Sequence, residues 1–339
     1  MNRIADQKEY QVPPWVDRYG RIHDYLRISL TPRCNLRCSY CMPARRATES
    51  FDNLLTDNEI VRVVSIMARH GVHKLRFTGG EPTLRPNLPA LVRRCVEIEG
   101  IRTIALTTNG LRFSDIAADL QRAGMLSVNI SLDSLIPDTF RRITGRSELP
   151  RVLRAVETAL RLGYRPVKIN TVIMRSVNDS EILDFVDWTR HLPINVRFIE
   201  YMPFRGNEWD PAGVFSYEEI RQRIETRYTL FALPETYLAN RIAEDFALPG
   251  FTGTVSIIAP MTRAFCGSCS RLRLTADGAL KACLFFPATV SLREALRIGA
   301  SDAEIETIIR EGVAGKPEGH PGPAELRHLN DLSMVEIGG

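Results

Sequence analysis

The stretch Tyr25-Leu-Arg-Ile-Ser-Leu-Thr-Pro-Arg-Cys-Asn-Leu-Arg-Cys-Ser-Tyr-Cys41 joins a strand pattern to three cysteines spaced C-x3-C-x2-C. Apolar and polar side chains alternate over 25–30, the period of a β-strand. Far downstream, Cys266, Cys269 and Cys283 form a second trio, C-x2-C-x13-C, so six of the seven cysteines fall into two groups of three. A structural zinc site wants four protein ligands. A cubane iron–sulfur cluster held by three thiolates keeps one iron open, and an open iron binds small molecules. The trios therefore point to chemistry rather than bracing. Zinc and simple electron transfer remain the alternatives for the first trio, which has no nearby fourth Cys or His; His23 lies upstream of the strand.

Outward from this stretch, residues 25–203 alternate β-type runs with amphipathic helical runs. Strands are predicted at 25–30, 73–78, 102–107, 126–131, 166–173 and 195–201, and helices at 57–70, 87–99, 114–123, 148–162 and 179–191. Asp57 and Ser114 offer polar helix starts, and Gly71, Gly124 and Gly163 offer stops. Repeated βα units imply a parallel sheet, and six of them predict an α/β fold, a partial (β/α)6 TIM-like barrel. The first trio then falls at the C-terminal end of strand one, where such barrels place catalysis. After a loop at 204–215 come a helix at 216–228, a poorly patterned stretch to about 253, and a hairpin turning at Ala276-Asp277-Gly278. Helices near 291–298 and 301–312 precede a Gly/Pro-rich tail. The expected divisions are a lead-in (1–24), the partial barrel (25–203), a C-terminal α+β extension that closes the open side (204–330) and a flexible Gly-Gly tail (331–339).

Strand parity puts Arg27 with Ser29, Lys74 and Arg76 with Thr78, Asn129 with Ser131, Lys168 with Asn170, and Asn195 with Arg197. The alternate positions, Leu26, Ile28, Leu75, Phe77, Val128, Ile130, Val167, Ile169, Val196 and Phe198, are apolar. If the apolar face packs on the helices, the polar face lines a hollow able to take a charged ligand. The alternative is a set of solvated strand ends.

The 339 residues, 44% hydrophobic with a formal charge of +4, are enough for a large core and too mildly basic to mark a nucleic-acid binder. The first residues lack an apolar leader region and no run reaches membrane-spanning length, so neither membrane nor nucleic acid is an expected partner. Grouped cysteines without a leader read as metal ligands in a reducing, cytoplasmic setting. Cys95, inside Val92-Arg-Arg-Cys-Val-Glu97, reads as a small core residue.

The first trio, with aromatic Tyr40 directly before its last cysteine, resembles the signature of the radical S-adenosylmethionine (SAM) superfamily. That resemblance implies a 4Fe–4S cluster on Cys34, Cys38 and Cys41. Its open iron would take the methionyl amine and carboxylate of SAM, and one electron would release a 5′-deoxyadenosyl radical. Gly79-Gly80-Glu81-Pro82, directly after strand two, resembles the superfamily's GGEP segment. Gly80 and Glu81 are thus expected at the methionyl end, and Tyr40, Asn109, Ser131, Arg197 and Met202 complete the expected SAM contacts.

Phe265-Cys-Gly-Ser-Cys-Ser-Arg-Leu-Arg-Leu-Thr-Ala-Asp-Gly278, followed by Cys283, closely resembles the GTP 3′,8-cyclase family of molybdenum cofactor biosynthesis. The lead-in Asp24-Tyr-Leu-Arg-Ile-Ser-Leu30 and the terminal Ile337-Gly-Gly339 do so as well, and the likeness spans roughly 18–203 and 261–284 plus the tail. It implies a second 4Fe–4S cluster on Cys266, Cys269 and Cys283 offered to guanine. It also implies GTP contacts from Arg27, Arg76, Thr107, Lys168, Arg271 and Arg273. Direct roles in catalysis would fall to Arg27, Arg271, Arg273, Gly338 and Gly339, with the tail threading beside Arg27. There is no G-x4-GK[ST] loop, so phosphate binding would rest on side-chain cations.

The family's reaction is a radical lyase step. The adenosyl radical removes hydrogen from ribose C3′, the C3′ radical adds to guanine C8, and the resulting aminyl radical is reduced, giving (8S)-3′,8-cyclo-7,8-dihydroguanosine 5′-triphosphate on the way to molybdopterin. Its partners would be an external electron donor and a downstream pyranopterin-forming enzyme, with a homodimer left open. The alternatives are a radical SAM peptide-modifying enzyme with an auxiliary cluster, against which Arg271, Arg273 and the Gly-Gly end count, and a non-enzymatic iron–sulfur or zinc interaction module. Two departures stand out: residues 229–265 match weakly, and Pro32 replaces the acidic residue usual before the Arg-Cys pair.

Overall fold

The computed structural model describes residues 12–41, 53–234, 242–329 and 333–338. All six predicted strands form within a residue or two of their expected spans: β1 (Tyr25–Ser29), β2 (Lys74–Thr78), β3 (Thr103–Thr108), β4 (Ser127–Ser131), β5 (Val167–Ile173) and β6 (Ile194–Glu200). The helices between them are α1 (Asp57–Arg69), α2 (Leu88–Val96), α3 (Phe113–Arg122), α4 (Pro137–Thr144), α5 (Leu149–Arg161) and α6 (Ile182–Trp188). Thr56 and Glu59 make a reciprocal capping box at the start of α1, satisfying two otherwise orphaned N–H groups. The helix α4 was not anticipated. Its two turns are too short for a periodic signal, although Pro137 at its start and left-handed Gly145 at its end are the marks of a helix.

These strands pair in parallel in chain order, and the ten apolar residues of the alternate face are buried against the helices. The register does more than make a sheet. Arg273, Arg27 and Arg76 stand level on three neighbouring strands, and Thr107, Asn129, Lys168 and Asn195 form a second row. Cations far apart in the chain thus share one concave face.

In the second half the expected helices and the hairpin at 276–278 form, but the way the extension joins the sheet departs from expectation. Here α7 (Tyr217–Glu225) is followed by β7 (Phe231–Ala232), β8 (Glu244–Ala247), β9 (Thr254–Ile258), β10 (Arg271–Leu274), β11 (Ala279–Lys281) and β12 (Val290–Ser291). Then come α8 (Arg293–Arg297), α9 (Asp302–Ala314), α10 (Pro323–Leu329) and α11 (Met334–Ile337). The extension does not close the barrel. It lengthens both edges of one open sheet of twelve strands, with β10 parallel to β1 and β9 parallel to β6. Both edges of the six-stranded core carry unpaired N–H and C=O groups, and pairing with β10 and β9 satisfies them. The poorly patterned stretch therefore contains β7 and β8 (residues 235–241 lie outside the described set), with Phe246 buried as are Val255 and Ile257 on the β9 that follows.

The tail also differs. Ser333 and Glu336 form a capping box for α11, Ile337 is buried, and the described part of 331–339 is a helix seated on the sheet. Among the described residues, no helix is long and apolar enough to cross a membrane.

Candidate active site

A cavity of about 530 Å³ opens at the concave face and is lined by all six cysteines of the two trios. The loop after β1 carries the first trio and is held from below by the Gly79-Gly80 turn. Gly80 N–H donates to Thr31 O at 2.6 Å and Glu81 N–H to Arg33 O at 2.7 Å. A Cβ on Gly80 would stand 2.3 Å from Arg33 O, and one on Gly79, which has φ +148°, 2.5 Å from Thr31 O. The glycines are needed for this backbone contact, before any ligand is considered. Burial, the Asp133 carboxyl and the neighbouring thiols push Cys38 far above the ordinary thiol range; burial with Cys34 and Asp133 does the same to Cys41. Three thiolates in that setting call for a compensating cation.

The expected SAM residues divide. Tyr40, Gly80, Asn109, Ser131, Arg197 and Met202 line the cavity. Tyr40 donates to Asp133 Oδ2 at 2.9 Å, while Asn109 donates to Asn35 Oδ1 at 2.7 Å and lies 3.6 Å from Cys34 Sγ. Glu81 turns the other way. Fully buried, its carboxylate accepts from Thr83 N–H and hydroxyl, Thr108 hydroxyl and Asn109 N–H. It ties β3 to the turn after β2, because a buried carboxylate needs four such donors to stay satisfied.

Arg27, Arg76, Thr107, Lys168, Arg271 and Arg273, expected from the resemblance to contact substrate, all line the same cavity. Arg76 donates to Tyr25 Oη at 2.5 Å and to Thr107 Oγ1 at 3.3 Å. Burial, then Arg197 and Arg76, lowers Lys168 to about 7, and burial with neighbouring guanidiniums lowers Arg197 and Arg273 to about 10 and Arg27 far below its usual range. Like charges have been gathered without enough counter-charge, the condition of an anion site. Asn129 Oδ1, Asn170 Oδ1 and Arg271 Nε are buried without a hydrogen-bond partner, polar atoms aimed where a ligand would satisfy them. Gly338 presents its carbonyl to Arg273 at 3.2 Å, and a Cβ there would lie 2.7 Å from both Ser29 Cβ and Thr78 Oγ1. Gly339 lies outside the described residues.

In the second trio Cys266 begins a short 3-10 turn (Cys266–Ser268), Cys269 directly precedes Ser270 and β10, and Cys283 follows β11. Arg271 and Arg273 do face the cavity from β10, although Cys269 lies just outside that strand. Burial opposes ionisation of Cys269, yet Arg271 and Lys316 outweigh it and bring the thiol down to about 6. Among the described residues no three His, Cys, Asp or Glu side chains converge on a single-ion site. A lone ion draws thiolates to ~2.3 Å, whereas a cubane spreads them over separate corners. The two donor sets, each of three cysteines opening on a shared cavity, fit clusters.

Several lining residues were not among the expected site contacts, although parity already places Lys74 on the polar face. Tyr25 and Lys74 follow the same alternation as Arg27 and Arg76, so the signal for them was present. Asp133, two residues beyond Ser131, and Asp245 on β8 carried none; nor did His320, which hydrogen-bonds Cys266 from 54 positions downstream.

Two family profiles match the chain: the radical SAM superfamily over residues 28–189 and "Molybdenum Cofactor Synthesis C" over 194–321. Molybdenum cofactor biosynthesis protein 1 of Mus musculus is 46% identical over 325 residues, 95% of this chain and 51% of that protein. The chain therefore spans about half the length of that relative. GTP 3′,8-cyclase of Syntrophomonas wolfei is 41% identical over 326 residues, covering 96% of this chain and all of that one. The mitochondrial GTP 3′,8-cyclase of Arabidopsis thaliana is 43% identical, with 96% and 83% covered. Among solved structures, Streptococcus suis SuiB bound to the precursor peptide SuiA aligns with a TM-score of 0.59 at 14% identity, covering 94% of this chain and 71% of that one. At that identity the likeness is one of fold.

Proposed function

We propose a GTP 3′,8-cyclase activity for this chain, because it belongs to the radical SAM superfamily and, within it, to the family of the GTP 3′,8-cyclases. One observation carries the reading beyond the family: two cysteine trios open on a single cavity that the register-matched Arg27, Arg76 and Arg273 also line. Cys34, Cys38 and Cys41 would hold the cluster that, with SAM, supplies a 5′-deoxyadenosyl radical. Cys266, Cys269 and Cys283 would hold the second.

The chain's own residues then have definable tasks. Arg27, Arg76 and Lys168, with Lys74 and Arg197 beside them, hold the triphosphate by charge-assisted contacts in a water-poor site. Tyr25 and Thr107 brace the Arg76 guanidinium, so that its fork is set before phosphate arrives. Arg271 and Arg273, next to the second trio, hold the purine end, and the unpaired amide oxygens of Asn129 and Asn170 supply acceptors in between. The ribose is thereby presented toward the first trio, and near-attack contact of roughly 3–3.5 Å decides which carbon reacts. An external one-electron donor and an enzyme that consumes the cyclised product belong to the same proposal.

The test is anaerobic reconstitution followed by incubation with GTP, SAM and reductant. The expected product carries a new bond between ribose C3′ and guanine C8, and deuterium placed at C3′ of GTP moves to 5′-deoxyadenosine. Unlabelled 5′-deoxyadenosine formed in step with product overturns the reading.

A further inference from the structure

The lead-in before β1 makes a short hairpin, with Val16 bridged to Ile22 and His23 N–H donating to Trp15 O at 2.8 Å. Three of its polar side chains turn inward. Asp17 is 5% exposed and His23 fully buried, and the third, Arg21, reaches across to the extension. Arg21 donates to Asp17 Oδ2 at 2.6 Å, Cys266 O at 2.8 Å, Glu318 O at 2.7 Å and Pro317 O at 2.6 Å. His23 Nε2 lies 3.1 Å from Asp17 Oδ2, and its Nδ1 lies 3.5 Å from Lys316 Nζ. A carboxylate only accepts and an ammonium only donates. His23 thus sits between an acceptor and a donor, with the Ser270 backbone as a further partner, and burial with the Lys316 charge lowers it to about 4, so the imidazole is neutral.

Lys316 is 3% exposed, just past the end of α9. Its ammonium donates at 3.0 Å to both Cys269 O and Arg271 O, and its third N–H lies between His23 Nδ1 and Cys269 Sγ, the latter at 3.6 Å. Burying an ammonium is costly unless it meets acceptors and negative charge. Two carbonyls and one imidazole supply the acceptors, and no carboxylate is among the contacts described. The sulfur of Cys269, 3.6 Å away, is the group this lysine faces that would carry negative charge once the trio holds a cluster.

We infer that Asp17, His23 and Lys316 form a positioning chain for the second cysteine trio, in which Lys316 holds the Cys269 sulfur and lends positive charge to whatever cluster the trio binds. The inference rests on the second cluster of the proposed function and adds a role for the lead-in, which packs on the trio from outside the cavity. Hydrogen bonds and charge at cluster sulfurs set reduction potential. A nearby cation favours the reduced, more negative state.

The experiment uses the full chain with Cys34, Cys38 and Cys41 replaced by Ala, so that only the second trio binds iron. About four irons per chain in this background establish the second cluster; none would mean that the proposed function has failed at this point, and the inference with it. With the cluster present, Lys316→Met should make its one-electron reduction about tenfold less favourable, a midpoint about 59 mV lower for a one-electron couple, followed by EPR-monitored titration. Lys316→Arg should stay near the parent value. A full iron complement with an unmoved midpoint in Lys316→Met overturns the inference. If Lys316→Met loses the cluster, retention by Lys316→Arg supports a charge requirement, whereas loss in both variants reduces Lys316 to packing and overturns it.

Discussion

Lys168 shows how one residue's surroundings set a measurable property of the whole site. Burial, then Arg197, Arg76 and Lys74, brings it from 10.5 down to about 7, with Asp245 opposing. Tyr25 is affected by the same cations: burial raises it, but Arg76, Arg27 and Lys74 together bring the phenol down to about 7. Without an anion, the site sheds protons as pH rises past 7; a triphosphate favours the protonated form of both groups. GTP binding at pH 8 should therefore take up between about one and two protons, read by calorimetry in buffers of different ionisation enthalpy. Lys168→Gln and Tyr25→Phe should each remove part of that uptake, and uptake unchanged in both would refute the assignment. The sign for folding follows from the same shift. Between about 7 and 10.5 the unfolded chain holds a Lys168 proton that the folded chain has lost, so this residue makes stability rise with pH across that window. At Gly80 the governing term is space. Gly80→Ala would place a methyl 2.3 Å from the Arg33 carbonyl, and neither backbone can yield cheaply. The expected loss is about 1–3 kcal/mol of stability, with iron binding at the first trio reduced and the second trio unaffected.

Strands and helices were legible where a single element carried its own period. The spans of β1 to β6 follow from alternation, and α1, α3 and α5 from apolar spacing and the left-handed glycines just past their ends, since each buries one continuous face; the polar start expected at Ser114 does not cap α3, whose N-cap is Arg112. Short pieces were not. The strand β8 has four residues and α4 two turns, so tertiary pairing decides them rather than local pattern. Glu81 was assigned to the cofactor by position, yet its direction depends on Thr83 and Thr108, which no strand parity reveals. Within the tail, Ile337 burial, the Ser333–Glu336 box and the Arg205–Glu336 ion pair at 2.9 Å seat α11 on the sheet, contacts that the glycines of the terminus do not announce. Gly338 takes φ +82° at its end, packed on Ser29 and Thr78. Gly338→Ala should unseat this helix, raising hydrogen exchange over 333–338 several-fold while iron content stays at the parent value. Unchanged exchange would show that the contact yields without strain. Ser333→Ala should cost α11 about 1 kcal/mol through its cap, loosening the same segment more mildly.

The whole molecule is one sheet assembled from two distant parts of the chain, and its polar face works only when both are present. Arg27 and Arg76 come from the first half, Arg271 and Arg273 from the second, and pairing of β1 with β10 brings the four together. The sequence carried each cation and each cysteine but not this pairing, because parallel partners more than 240 positions apart leave no local trace. The same topology predicts what truncation does. A chain ending at residue 203 retains β1 to β6 and their helices, yet loses β10 from one edge and β9 from the other. It would expose Leu272's partner Leu26 and Val255's partner Val196 along two bare edges, each an invitation to pair with another copy. We expect that fragment to form oligomers or aggregate at micromolar concentration. Co-expressing it with residues 204–339 should restore a soluble one-to-one complex, read by size-exclusion chromatography with light scattering. A monomeric, cooperatively melting fragment would show that the six-stranded core is self-sufficient. The extension would then serve the site alone, and the pairing of β10 with β1 would matter for aligning arginines rather than for keeping the sheet intact.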